Sequence, residues 1–280
     1  AVRLCASDAS LWIELLRALE AAGASVDDVR REFEAALSAP LAAAADEEAQ
    51  LYEPLDALAA FANPYMRVLH NYSQYQSRRL LAAAAQERDA LLESVRSVRD
   101  AVLAYEAAYL DGAETDGALG RFWLAVEVRI NRDAAQARAL MESLLSRWGL
   151  SASIWVECAS LELSLEEHSA AGRQACAADA ATPFAEKSRK LFRRAVTVIT
   201  DVEQALALHK AWLSFEATSG TLESLRAAEA RCAAHMQAVT RRDAKILKAD
   251  EEARAERAAT KAAAKKAKKA HTEAKASRQA

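Results

Sequence analysis

Apolar residues along this chain recur at intervals of three and four, which is the spacing of one face of an α-helix. Within residues 65–83, for example, Tyr65, Leu69, Tyr72 and Gln76 fall on a single face. No stretch combines β-branched residues with the strict apolar–polar alternation of a strand. The pattern therefore predicts an all-α fold with this face as a packed stripe; stacking of its aromatic rings on nucleic acid is the less favoured interpretation.

One short arrangement occurs several times and predicts a repeated structural unit. In residues 209–232, Trp212 stands four residues before Glu216, Gly220 follows as a break, and a second helical pattern begins. Variants of this order recur in residues 11–37, 122–145 and 154–199. Because two antiparallel helices cannot bury their apolar faces alone, such pairs are expected to stack on one another.

Each position of this signature has a structural explanation. The tryptophan docks into the facing helix, and the glutamate bonds an arginine or a helix N-terminus, because a carboxylate beside a buried ring needs a partner. Gly220, with Gly23 and Asn131 in the equivalent places, is expected to end the first helix of its pair in the left-handed conformation. We interpret the glutamates as paired structural groups rather than general acids. The repeat-signature residues are Trp12, Glu20, Gly23, Arg30, Phe33, Trp123, Glu127, Arg138, Trp155, Glu162, Phe192, Trp212, Glu216 and Gly220.

Two further stretches complete the predicted array. Residues 65–110 read as one pair of long helices, which brings the count to five helix pairs in an α-solenoid over residues 4–240. Residues 41–64 predict an extra helical connection, and residues 166–187 predict an insertion in the fourth pair.

This pattern resembles the half-a-TPR (HAT) repeat, most closely in "LWIELLRALEAAG" followed by "VRREFEAAL". The order of the units, ending in a lysine-rich helix, is similar to the C-terminal half of the HAT domain in U4/U6 small nuclear RNP (snRNP) recycling factors. The resemblance implies a nuclear, non-enzymatic scaffold in pre-mRNA splicing that forms a homodimer through its last repeats. It also implies binding of ubiquitin-specific proteases and snRNP proteins. The alternatives are the HAT dimerisation domain of a pre-mRNA 3′-end cleavage and polyadenylation factor, and a helical repeat that binds RNA directly.

Charge divides the chain into an acidic body and a basic tail. Residues 241–280 hold 13 Lys and Arg against 6 Asp and Glu, whereas the other 240 residues hold 24 basic and 34 acidic side chains. The tail has neither Gly nor Pro and predicts a long solvated helix. Its lysine cluster is either a solvated face, a nuclear localisation signal or a salt-sensitive RNA contact, of which the signal is preferred to the RNA contact. By resemblance, the signal residues are Lys265, Lys266, Lys268 and Lys269.

The remaining residues indicate no catalytic chemistry. The four cysteines form no CxxC pair and favour reduced thiols in a cytosolic or nuclear protein. The five histidines are far apart in sequence, form no metal-binding motif, and are interpreted as surface or satisfied core residues. No nucleophile, base and orienting group can be combined, so we predict no enzymatic activity, no cofactor and no metal.

Targeting signals are equally sparse. No uninterrupted apolar run is long enough to span a membrane, and the N-terminus lacks the basic and apolar regions of a secretory signal. The sequence begins without methionine, so we expect a fragment of a longer protein.

Overall fold

The computed structural model describes residues 7–41, 63–110, 117–168 and 185–276, and beyond residue 261 it describes the backbone alone. The described residues form ten α-helices: α1 (Ala9–Ala21), α2 (Val26–Ser38), α3 (Pro64–Ala82), α4 (Ala85–Tyr109), α5 (Ala118–Val126), α6 (Ala134–Trp148), α7 (Ala152–His168), α8 (Glu186–Val198), α9 (Val202–Ser219) and α10 (Leu222–Ala276). A π-helical turn, Glu127–Asn131, extends α5. The predicted all-α fold is confirmed for these residues, and the count of ten helices agrees with the five helix pairs that the sequence predicts. Most of the predicted connection at 41–64 and of the insertion at 166–187 lies outside them.

Short polar side chains mark where the helices begin. Each accepts a hydrogen bond from a backbone N–H of the first turn, which otherwise has no partner within the helix. The capping residues are Asp8 for α1, Ser25 for α2, Asn63 for α3, Asp133 for α6 and Asp201 for α9. Each of these helices therefore begins directly after a polar capping residue, where apolar residues at helical spacing start.

The chain divides into two compact units. The first comprises residues 1–149 and 157–188, and the second comprises residues 150–156 and 189–280. Within the first unit, α1 contacts α2 and α3, and α3 contacts α4 and α5, so the first helices of successive pairs touch. Helices α1 to α5 share one hydrophobic core, which contains Trp12, Ile13, Leu16, Val29, Phe33, Met66, Leu69, Tyr72, Val102 and Leu119.

The aromatic stripe of α3 is part of this core. Leu69, Tyr72 and Gln76 are buried, and the ring of Tyr72 stacks on Phe33 of α2 with centroids 3.9 Å apart. The hydroxyl of Tyr65 donates to the carbonyl of Ala39 at 2.9 Å. The packed interpretation of the stripe is therefore confirmed.

In the second unit, α9 and α10 pack against each other as a hairpin. Trp212 of α9 is 2% exposed and lies parallel to Phe192 of α8, with ring centroids 5.8 Å apart. Ala228, Cys232 and Val239 are the buried residues of α10. Spacings of four and seven put these three side chains on one helix face, which packs onto α9.

The first helices of the pairs end in different ways. Gly23, after α1, has φ +68° and confirms the predicted left-handed conformation. The same prediction is wrong for Gly220, whose backbone is extended at φ −112°, and for Asn131, which lies in the π-helical turn. Arg132 takes the left-handed conformation instead, with φ 56°. There the N–H of Asp133 bonds the carbonyl of Glu127, which closes the helix end without a glycine.

The last helix passes the predicted boundary between body and tail without a break. Helix α10 is 55 residues long and continues through residues 240 and 241. Val239 is its last buried residue among those whose side chains are described, and residues 244–257 are exposed. The division into 4–240 and 241–280 is therefore a change of burial and charge, with no corresponding change of secondary structure.

Candidate functional site

Buried glutamates joined to arginines recur between successive helix pairs. Glu127, at the end of α5, is 1% exposed and accepts bonds from Arg99 at 2.8 Å and from Arg96 at 3.0 and 3.1 Å. Asn131 donates to the same carboxylate at 3.0 Å, and Arg96 also donates to Asp133 at 2.7 Å. These ionic bonds raise the pKa of Arg96 further above its usual range. Several charge-assisted bonds thus offset the cost of burying the carboxylate.

The next two pairs repeat the arrangement. Glu162 of α7 accepts bonds from Arg138 of α6 at 2.6–3.1 Å, and the bonds raise the pKa of Arg138. Glu216 of α9 accepts bonds from Arg189 of α8 at 3.1 Å and from the indole N–H of Trp212 at 3.2 Å. The prediction that Glu127, Glu162 and Glu216 bond arginines is confirmed. We call this recurring contact the Glu–Arg junction.

The arginine of each junction precedes an apolar residue by three positions. The three pairs are Arg99 with Val102, Arg138 with Met141, and Arg189 with Phe192, and Arg30 with Phe33 in α2 has the same spacing without a junction. All four apolar partners are buried. Arg96, Arg99 and Arg189 were not predicted as partners of the glutamates. The three-residue spacing from an arginine to a core residue was a signal that could have identified Arg99 and Arg189.

The corresponding place between the first two helix pairs, where α2 meets α3, has no Glu–Arg junction in the described structure. The residue of α3 that follows Tyr72 by four is Gln76, a neutral side chain that is fully buried and bonds Arg79 at 2.6 Å. Arg30 lies at the surface with a side chain 57% exposed, and its ion pairs are with the exposed Asp27 and Glu34 of its own helix. Among the described contacts, therefore, no ionic bond joins α2 to α3.

The other signature residue of the first pair, Glu20, has a different partner. Its carboxylate accepts two bonds from Arg78 of α3, at 2.6 and 2.7 Å, and links the first helices of two successive pairs. The signature tryptophans Trp12, Trp123 and Trp155 are buried, as is Trp212.

An apolar groove lies next to Arg30, over α3 and between α2 and α4. Its volume is about 250 Å³. Helix α3 contributes its floor, and α2 and α4 contribute its walls. The lining residues are Arg30, Phe33, Glu34, Leu37, Leu69, Tyr72, Val98, Ala101, Val102 and Tyr105. We call this cavity the α2–α4 groove.

Two histidines that are distant in sequence meet in the second unit. Nε2 of His209 lies 2.8 Å from Nδ1 of His235, and Nε2 of His235 lies 2.9 Å from the carbonyl oxygen of Ile199. Because a carbonyl only accepts, His235 donates through Nε2, and its Nδ1 accepts from His209 when the ring is neutral. Burial, followed by the proximity of His235, lowers the pKa of His209. Separation in sequence concealed this pair, which forms because α9 and α10 fold back at Gly220.

The cysteines described by the structure are buried thiols. Burial raises the pKa of Cys158 to about 12 and that of Cys232 to about 11, so both are protonated at neutral pH. Cys5 and Cys176 lie outside the described residues. Within the described ranges, no three or more His, Cys, Asp or Glu side chains are arranged to hold a metal ion. No helix in the described part of the chain is long and apolar enough to cross a membrane.

The exposed part of α10 carries mixed charge and few apolar groups. Arg241, Arg242, Lys245 and Lys248 are exposed close together, and Ile246 is exposed among them. The predicted localisation residues Lys265, Lys266, Lys268 and Lys269 belong to the same helix, but their side chains lie outside the described residues.

A scan of protein-family models and a search of curated sequences found no match to this chain. The HAT assignment is therefore a prediction that depends on the residues and their arrangement.

Proposed function

We propose that this chain is a HAT-type α-solenoid that works as a non-enzymatic scaffold for protein–protein interaction in a nuclear RNA-processing factor. The most specific form of the proposal is recycling of U4/U6 snRNPs in pre-mRNA splicing, with recruitment of a ubiquitin-specific protease. The scaffold self-associates as a homodimer through its last helix pairs. Burial of apolar surface between two arrays in a twofold contact stabilises this homodimer.

The observation that supports this proposal is the Glu–Arg junction at three successive helix pairs. In each case a glutamate of a first helix bonds an arginine of the preceding second helix. Repetition of one contact along the chain is expected when each unit is stabilised by its neighbours. The signature glutamates thus serve structural roles, and function is left to the surfaces of the array.

Two measurements test the proposal. Light scattering across a concentration series gives the solution mass of the full chain, and a stable dimer is expected. Affinity purification of the tagged chain from cells, with quantitative mass spectrometry, is expected to enrich snRNP proteins and a ubiquitin-specific protease. A monomer at every concentration would rule out the dimer, and a chain that enriches neither class of protein would contradict the splicing role.

The nuclear location has its own test. Replacing Lys265, Lys266, Lys268 and Lys269 together by Ala is expected to move a fluorescently tagged chain from the nucleus to the cytoplasm. Replacing Lys245, Lys248, Arg254 and Arg257 of the same helix by Ala removes the same number of positive charges and is the matched control. Nuclear accumulation unchanged by the lysine substitutions would locate the signal elsewhere.

RNA binding by the tail is a second candidate, favoured by the exposed cluster Arg241, Arg242, Lys245 and Lys248. Such a contact would be with phosphate and would weaken steeply with salt. Deletion of 241–280 is expected to abolish salt-sensitive RNA affinity if the tail carries it. RNA affinity retained after that deletion would assign the activity to the helical body.

A further inference from the structure

We propose that residues 243–254 of α10 from a second copy of this chain bind in the α2–α4 groove, and that two copies exchange these segments reciprocally. The inference rests on the self-association proposed above, and it places the last helix of one copy against the first two helix pairs of the other. One surface is an apolar groove with an arginine at its rim. The other is an exposed helical segment with aliphatic residues next to carboxylates.

Among the described residues, the groove lacks the ionic bond that the Glu–Arg junctions make. Gln76 replaces the junction glutamate, so the guanidinium of Arg30 has no buried carboxylate to bond in the described structure. Arg99, Arg138 and Arg189, at the equivalent positions, each bond such a carboxylate. A partner carboxylate that replaces the exposed Asp27 or Glu34 at Arg30 would make at the groove the same type of bond.

The size of the groove restricts what it accepts. Its volume of about 250 Å³ is below the roughly 300–1,000 Å³ of typical small-molecule sites. Its walls are largely aliphatic and aromatic, with Arg30 and Glu34 as the charged lining residues. The groove is therefore suited to one or two aliphatic side chains from another helix, with a carboxylate at the Arg30 end.

Helix α10 displays such a segment. Ile246 is 49% exposed and Leu247 is 65% exposed. Asp250 and Glu251 each follow one of these residues by four positions, so each carboxylate lies one turn further along the same face. Aliphatic and acidic groups are thus adjacent, as the groove and Arg30 require.

The position of this segment leaves it accessible to a partner. Ile246 lies seven residues beyond Val239, the last buried residue of the helix, so it continues the buried face for about 10 Å past the packed hairpin. Each copy offers one groove and one segment. Reciprocal exchange of the two segments would occupy both grooves and limit the assembly to two copies, whereas one-way exchange would build an open chain.

The first test fills the groove and leaves the core intact. Ala101 is exposed on α4 and lines the groove, so Ala101→Trp is expected to weaken dimerisation of the full chain at least tenfold in sedimentation equilibrium. Ala107→Trp is the matched control, because Ala107 is exposed on the same helix and away from the groove. The double variant Ile246→Ser with Leu247→Ser is expected to match Ala101→Trp, and Leu206→Ser, which changes an exposed leucine of α9, is its control.

A charge exchange tests the polar contact. Arg30→Glu is expected to weaken the dimer, and Asp250→Arg with Glu251→Arg is expected to weaken it as well. Combining all three substitutions should restore most of the affinity, because the opposite charges again face each other. Additive losses in the combined variant would contradict the contact.

A labelled peptide of residues 240–257 separates this inference from the proposed dimer. It is added to the full chain carrying the Ile246→Ser and Leu247→Ser substitutions, whose groove is free of a competing segment. Saturable binding that Ala101→Trp abolishes supports the groove assignment, even if the chain itself is monomeric. A dimer insensitive to Ala101→Trp, together with no peptide binding, would overturn the inference and leave dimerisation standing; a monomer that binds no peptide would overturn both.

Discussion

Gly220 and Gly23 end equivalent helices, yet the structure predicts that replacing each by Ala has a different cost and a different cause. Gly23 has a left-handed backbone, and a methyl group added there meets no atom within 4 Å. Gly220 has an ordinary extended backbone, but its added Cβ would lie 2.5 Å from Oγ of Ser224 and 2.6 Å from the carbonyl oxygen of Glu216. The first site is restricted by conformation and the second by space.

The two costs follow from these contacts. A left-handed alanine costs about 1–2 kcal/mol, and the more restricted unfolded chain returns about 0.4–1 kcal/mol, so Gly23→Ala is expected to destabilise by about 1 kcal/mol. At Gly220 the carbonyl of Glu216 accepts the Gly220 N–H at 2.9 Å and is fixed by the helix end. The carboxylate of the same residue bonds Arg189 and Ser224. Removing one partner of a buried ion pair costs about 3–5 kcal/mol. Displacement of the Glu216 carboxylate should cost no more than the lower end of this range, so we expect a loss of about 3 kcal/mol for Gly220→Ala.

Urea unfolding followed by circular dichroism gives both free energies, and hydrogen exchange of α9 peptides locates the effect. Gly220→Ala should accelerate exchange in α9, whereas Gly23→Ala should affect α1 and leave α9 unchanged. A loss below 0.5 kcal/mol for Gly220→Ala, or equal losses at the two glycines, would refute the assignment of a steric cause.

Three further predictions concern ionisable groups. Glu127→Ala should destabilise the chain by about 3–5 kcal/mol in urea unfolding, because it removes the buried carboxylate that Arg96 and Arg99 share. Glu93→Ala, at an exposed residue, should cost less than about 0.5 kcal/mol, and similar losses for the two variants would contradict the junction. Because the folded pKa of His209 is lowered from 6.5, the unfolded chain binds more protons in acid, so stability should be full above about pH 6.5 and should fall below it. Melting temperatures measured from pH 7.5 to 5.5 should show this decline, and His209→Gln, which still donates through a side-chain N–H, should reduce it; an unchanged slope would exclude His209 as its source. The Cys158 thiol should resist alkylation at pH 8 in peptide mapping until the chain unfolds, since burial raises its pKa to about 12, and rapid modification of the native chain would contradict its burial.

Several features of the fold were predictable because they depend on local sequence. Apolar spacing predicted the helices, and the four-residue separation of Trp212 and Glu216 placed both on one face, where they bond. The pairing of buried glutamates with arginines was also predictable, because an isolated carboxylate in a core is too costly to leave without a partner. The identity of each arginine was not predictable in the same way, because Arg99 and Glu127 lie on different helices and meet through packing.

Tertiary structure decided what neighbouring residues in sequence do not determine. Gly220 was expected to supply a left-handed turn, but its lack of a side chain instead admits the carboxylate of Glu216 and the hydroxyl of Ser224. His209 and His235 were interpreted separately, and the return of α10 along α9 brought them together. The α2–α4 groove depends on the distances between three helices, which no single helical pattern contains. The sequence by itself therefore determined which residues are helical and which faces are apolar, because these follow from spacing along one element. The structure determined which faces meet and which the described residues leave uncovered, because that depends on how whole helices pack.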